Sequence, residues 1–260
     1  MALGSSTLTV GIAGGPDTTF AGSINGTGGH LVKDTNSTQV LSGTNAYTGT
    51  TTVSGGTLEV QGSLSGTTAV TVNTSGTLLL NSAASPIINT AATMTVGGGT
   101  VKIDNSLSNT NQTFGSLTLT GTSILDFGTG SAGNAMTFSS LSFTGTKLNV
   151  YNWSGSAYGA GVADTGTLAG DTQDRLLFTG TTGIGTSGDS RIEFFSDGGT
   201  TSLGFGQEVA FGSQFELVPI TAVPEPATTA LIGSIALCAL IGYRERRRFT
   251  GFGKRTAARK

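Results

Sequence analysis

Between residues 50 and 150, apolar side chains alternate with threonine, serine or a charge, the two-residue period of a strand with one buried face. Leu58 and Val60 stand on either side of Glu59, and Val101 and Ile103 on either side of Lys102. Helical spacing is absent. The alternating runs recur around a Gly-Thr-apolar turn at Gly56-Thr57-Leu58, Gly76-Thr77-Leu78 and Gly99-Thr100-Val101, with looser copies at Gly121-Thr122 and Gly145-Thr146. These five glycines lie 20, 23, 22 and 24 residues apart, a period that belongs to stacked repeat architectures. Each unit reads strand, tight turn, strand. The pattern predicts an all-β fold, a parallel, right-handed β-helix of about 20–24 residues per rung, with like positions roughly 4.8 Å apart. Six such rungs would span about 30 Å. Glycine is expected at the corners, where left-handed backbone costs any residue with a Cβ.

From residue 155 the period fades. Asp174-Arg175-Leu176-Leu177-Phe178, Arg191-Ile192-Glu193-Phe194-Phe195 and Gln214-Phe215-Glu216-Leu217-Val218 read as strands in a more aromatic setting that holds six of the 13 phenylalanines. A solenoid end exposes an apolar cross-section and needs an atypical cover, so residues 155–220 are expected to form a β-rich cap.

The last segment changes character again. Residues 227–243 carry no charge, and Arg244-Glu245-Arg246-Arg247-Arg248 follows directly. Seventeen residues span roughly 26 Å as a helix, the short end of what crosses a hydrocarbon core of about 30 Å. Arg244, Arg246, Arg247 and Arg248 would stay on the cytoplasmic side, leaving everything upstream outside. Pro224 and Pro226 remove two backbone donors and disfavour helix before them, so an extended segment is expected just outside the bilayer. The organisation expected is a β-helical region over 1–154, a cap over 155–220, a Pro-rich linker over 221–226, a transmembrane helix over 227–243 and a basic tail over 244–260.

Charge divides the same way. Residues 244–260 hold eight of the 13 lysines and arginines against one acid, whereas residues 1–243 hold five bases against 14 acids. The overall charge of −2 therefore averages a basic tail and an acidic body. The body is poorly suited to a phosphate backbone, where affinity comes mainly from Lys and Arg, so no nucleic-acid partner is expected. Charge is only 11% and glycine 42 of 260 residues, a composition of short strands and turns rather than of highly charged disorder. The single cysteine, Cys238, leaves no intrachain disulfide and no cysteine metal site. Met1-Ala2-Leu3-Gly4 enters strand-like sequence at once, without the basic and apolar regions of a signal peptide. The pattern reads as a fragment whose earlier repeats lie upstream.

Two resemblances follow from these residues. Residues 20–60, with Ser42-Gly43-Thr44-Asn45-Ala46-Tyr47-Thr48-Gly49 as their specific part, resemble the autotransporter-associated β-strand repeat, which implies a β-helical passenger at a cell surface. The chain ends in a hydrophobic run and an Arg cluster rather than in the many amphipathic strands of an autotransporter barrel. Residues 223–248, from Val223-Pro224-Glu225-Pro226 through the uncharged run to the arginines, resemble the PEP-CTERM sorting signal of Gram-negative bacteria. That resemblance implies export, anchoring in the membrane and processing near the Pro-Glu-Pro by an exosortase-like enzyme.

Candidate chemistry is sparse. His30 is the only histidine and lies in a Gly-rich corner, where a turn role is expected. Asp171, Asp174 and Arg175 offer two carboxylates and a cation for polysaccharide cleavage or calcium, although Asp174 before a strand reads more simply as a turn residue paired with Arg175. Gly183-Ile184-Gly185-Thr186-Ser187-Gly188 matches a phosphate-loop spacing but precedes a strand, not a helix. Tyr47, Tyr151 and Trp153 would stack on sugars if exposed and otherwise pack in the core. No catalytic residue, metal or cofactor is expected. The chain reads as a non-enzymatic envelope protein, structural or adhesive, associated with exopolysaccharide or with copies of itself. The alternatives are a polysaccharide-acting β-helix enzyme and a self-assembling surface fibre subunit.

Overall fold

The computed structural model describes residues 1–82, 85–107, 110–130, 133–155 and 173–220. They form an all-β parallel solenoid of about six turns within the unit Met1–Thr221. Three columns of parallel strands make its walls. The first face stacks β1 (Thr7–Val10), β3 (His30–Lys33), the start of β6 (Thr50–Val60), the start of β8 (Ala69–Leu80), β9 (Thr93–Gly97), β12 (Leu117–Gly121) and β15 (Leu141–Phe143). The second face stacks β2 (Thr18–Phe20), β4 (Thr38–Leu41), the ends of β6 and β8, β10 (Thr100–Ile103), β13 (Ser123–Asp126), β16 (Leu148–Tyr151) and β18 (Asp189–Phe195). On the third face β5 (Thr44–Asn45) pairs with β7 (Ser63–Leu64), Leu64 bridges to Ile88, and β11 (Asn111–Thr113), β14 (Ala135–Phe138) and β17 (Arg175–Phe178) continue the column.

Register explains why the alternation repeats. Val53, Val72, Val96, Leu119 and Phe143 occupy one file of the first face, 19, 24, 23 and 24 residues apart. Leu58, Leu78, Val101, Leu125 and Val150 occupy one file of the second. Each inward residue therefore sits on its equivalents above and below. Valines and leucines of these files are fully buried, each contributing about 1.5–3 kcal/mol relative to exposure. On the third face Phe114, Phe138 and Phe178 form an aromatic stack, with centroids 5.0 and 5.8 Å apart.

Corners need particular residues. β6 bends between its two faces at Gly56, whose φ of +62° is left-handed and whose added Cβ would lie 2.4 Å from the Thr35 and Ser37 carbonyl oxygens. Lys33 is the one inward-facing cation of that corner. It is buried, and its ammonium donates to the carbonyls of Asp34 (2.7 Å), Thr35 (3.0 Å) and Gly55 (3.0 Å). Desolvation lowers its pKa, and Asp34 and Asp17 partly offset that.

The solenoid ends differently on each face. β17 still adds parallel to β14, and β18 to β16, across a connection of about forty residues in place of the usual rung. Then β19 (Ser202–Phe211) pairs antiparallel with β18 and with β20 (Gln214–Pro219), and β20 pairs antiparallel with β17. The β19–β20 hairpin thus joins the second face to the third. Among the described residues the first face ends at β15, where the Arg191 guanidinium lies 4.7 Å from the Phe143 ring centroid.

The described residues contain no helix, so none of them forms one long and apolar enough to cross a membrane. The helix expected over 227–243 and the tail over 244–260 lie outside the described residues.

Candidate functional site

The Ser42–Gly49 motif occupies the corner that leads onto the third face and back to the first. Asn45 is fully buried there and ties three turns together. Its Oδ1 accepts the Ile24 N–H at 3.0 Å, and its Nδ2 donates to Gly43 O (2.9 Å) and to Ser63 O of the next turn (3.2 Å). Tyr47 is also fully buried, with its hydroxyl 2.6 Å from Thr51 Oγ1. Thr51 Oγ1 lies 3.0 Å from Thr67 Oγ1, which donates to Gly49 O at 3.1 Å. Burial raises the Tyr47 phenol pKa far above its ordinary value, against the smaller opposing effect of the Thr51 hydrogen bond. Gly49 closes the motif because an added Cβ would sit 2.3 Å from Gly29 O in the preceding turn.

Later turns reuse this corner with other side chains. Gln112 Oε1 accepts the Ile87 N–H (2.9 Å), Asn134 Oδ1 the Thr110 N–H (3.0 Å), and Asp174 Oδ1 the Asn134 N–H (2.8 Å). The other oxygen of Asp174 accepts from the Ser154 N–H and hydroxyl, both at 2.8 Å. Asp174 is nearly buried, and desolvation raises its pKa despite these bonds. Arg175 points the other way along β17. Its Nη1 lies 3.1 and 2.9 Å from the two oxygens of Glu216 on β20, its guanidinium sits 5.0 Å from the Phe211 ring centroid, and both charged residues are buried.

These placements settle several sequence readings in structural terms. Asp174 and Arg175 do not converge on one surface: the first holds backbone amides, the second pairs with Glu216. Asp171 lies outside the described residues. His30 opens β3, and its Nδ1 accepts the Thr50 N–H at 2.9 Å, one turn on. The Gly183–Gly188 run leads into β18 and buries Ile184, with no helix behind it. Trp153 is 3% exposed, edge-on to Phe127 and Phe194 at 5.2 and 4.8 Å, so it packs in the core, as Tyr47 does. Tyr151 is half-buried against Phe195. Val223, Pro224, Glu225, Pro226, Arg244, Arg246, Arg247 and Arg248 all lie outside the described residues.

Sequence reasoning missed Glu216, Asn134 and the inward turn of Lys33. For Glu216 a signal existed, a single acid between Phe215 and Leu217 in a strand that is otherwise nearly apolar.

The family model described as the passenger-associated-transport-repeat matches residues 31–60. That span runs from β3 to the end of β6 and contains the Asn45–Tyr47 corner. The matched segment is a repeat associated with autotransporter passengers, and together with the solenoid it indicates a surface, passenger-like protein. Neither the curated proteins nor the solved structures compared with the chain gave a match.

Proposed function

We propose that this chain is an exported, non-enzymatic protein of a bacterial envelope, a structural or adhesive component of the cell surface or of its exopolysaccharide matrix. The observation that carries the reading is the parallel solenoid built on a passenger-associated repeat, whose buried polar groups are engaged in joining turn to turn. Sorting belongs to residues 223–248: Val223-Pro224-Glu225-Pro226 is the processing motif, residues 227–243 the membrane helix, and Arg244, Arg246, Arg247 and Arg248 the cytoplasmic stop. An exosortase-like enzyme and the membrane are the partners of that segment.

The test is the mature C-terminus of native protein from fractionated host cells, by intact mass and peptide mapping. An end near 223–226 supports processing, whereas an intact chain to Lys260 in the membrane removes the sorting signal from the reading. For the enzymatic alternative, Asp174 and Arg175 are engaged in backbone and ion-pair contacts rather than presented together. The full chain is expected to leave acidic polysaccharides uncut, and cleavage lost on neutralising Asp171 and Asp174 would reverse that view.

A further inference from the structure

The outward side of the first face carries two files of small residues in continuous register, all but Ala69 bearing a hydroxyl. Thr52, Thr71, Thr95 and Thr118 are stacked partners in four successive turns. Two residues earlier in each turn stand Thr50, Ala69 and Thr93 in register, followed by Ser116, whose carbonyl accepts from Met94 N. The pairing shows no slip across these positions; the shifts at β6–β8 and β9–β12 come after Val53 and Leu119. Apart from the gap at Ala69, hydroxyls are therefore spaced about 4.8 Å along the solenoid and about 6.6 Å across it.

Except at Thr50, whose Oγ1 lies 3.0 Å from His30 Nδ1, those hydroxyls are unused. Threonines at the corners bond to backbone or side chains, as Thr67, Thr74 and Thr144 do. The side chains of Thr52, Thr71, Thr93, Thr95 and Thr118 make no hydrogen bond to any described residue, and none of the outward positions 50, 52, 69, 71, 93, 95, 116 and 118 bears a charge or an aromatic ring. The equivalent file of the second face, Thr38, Thr57, Thr77 and Thr100, runs beside Glu59 and Lys102.

We propose that this threonine lattice is a binding surface for the ordered water of an ice crystal. A β-branched side chain in a strand has few χ1 states, so each hydroxyl and methyl is held in place before any contact. Immobilising liquid water on a protein costs up to about 2 kcal/mol per molecule, but in ice that ordering already exists. A rigid, uncharged surface whose rung repeat is close to the oxygen repeat of ice gains contacts without that cost. Sugar recognition would call for exposed rings to stack on, and the lattice has none; the rings of this face, His30 and Phe143, lie beyond it and are engaged by Thr50 and Arg191. The surface lies upstream of the sorting segment and is independent of its processing.

The experiment is partition of the full chain into slowly grown ice, beside the variants Thr71→Tyr, Thr95→Tyr and, on the second face, Thr77→Tyr. Tyrosine suits an exposed strand position, and thermal melting of each variant establishes that it folds like the parent. The parent and Thr77→Tyr are expected to enter ice, and Thr71→Tyr and Thr95→Tyr to be excluded. Exclusion of the parent, or equal entry of all four proteins, overturns the proposal. So does retention on crystalline cellulose or chitin, lost in Thr95→Tyr, by a chain that ice excludes; that result assigns the face to a polysaccharide lattice.

Discussion

The turns around Asn45 and the closing segment around Arg175 bury polar groups by opposite means. In the repeating turns one neutral amide meets backbone of three turns, and Gln112 and Asn134 renew that bond further along. In the closing segment a buried guanidinium meets a buried carboxylate 41 residues away. Translation along a parallel stack presents the same backbone groups in every turn, so one kind of side chain serves repeatedly. Where β19 and β20 turn antiparallel, the translation ends, and each buried group needs its own partner.

Arg175→Met would break this contrast most sharply. It leaves Glu216 buried and charged, and a loss of about 3–5 kcal/mol is expected by urea unfolding. The double variant Arg175→Met with Glu216→Leu should recover most of that loss, because paired apolar groups replace a buried ion pair at little cost. Asn45→Ala comes next, at about 2–3 kcal/mol, since the buried Ile24 N–H and two carbonyls lose a partner that no other group replaces. The repeat should tolerate Asn45→Asp less well than the closing corner tolerates Asp174→Asn: the first sets a charged oxygen against the Gly43 and Ser63 carbonyls, whereas the second keeps the acceptor for Asn134 N and loses the bond from Ser154 N–H without burying a charge.

Smaller effects separate the two regions by pH. Tyr47 has a raised pKa in the folded chain, so above its ordinary value of 10.0 only the unfolded chain gives up the proton, and stability falls as pH rises. Tyr47→Phe is expected to cost about 1 kcal/mol at neutral pH through the lost bond to Thr51 and to flatten the alkaline decline measured by melting. Asp197 behaves in the opposite sense. Its Oδ1 accepts the N–H groups of Gly199 (3.1 Å), Thr200 (2.7 Å) and Thr201 (3.0 Å) in the turn between β18 and β19, which hold its pKa down to about 2. Its contribution is present above pH 3.8 and is lost as pH falls through about 2. Asp197→Asn should make acid melting less steep in that window, with the smallest effect of the set because the group is exposed to solvent.

Much of the first region was legible. The two-residue alternation and the period near 22 residues follow from local chemistry, because a parallel rung must repeat its inward apolar positions to stack them. The Gly-Thr-apolar turns are local only in part: Gly56 and Gly145 have positive φ, whereas Gly76, Gly99 and Gly121 do not and are required because an added Cβ would meet backbone of the preceding turn. The role of Asn45 was not legible in this way: its motif marked a resemblance, but the three backbone groups it joins lie 21, two and 18 residues away. Nothing local marks Lys33 as buried; the fold places three carbonyls around its ammonium.

The sequence by itself determined an all-β repeat, its period, its apolar files and the division of charge between an acidic body and a basic tail. Only the tertiary structure decided which corner holds which polar group, that Arg175 meets Glu216 rather than Asp174, and that an antiparallel hairpin joins the second face to the third. The reason is separation along the chain. Alternation and turn preference act over a few residues, whereas a hydrogen bond or ion pair between turns joins groups about 20 to 41 residues apart. It takes form only once register brings them together.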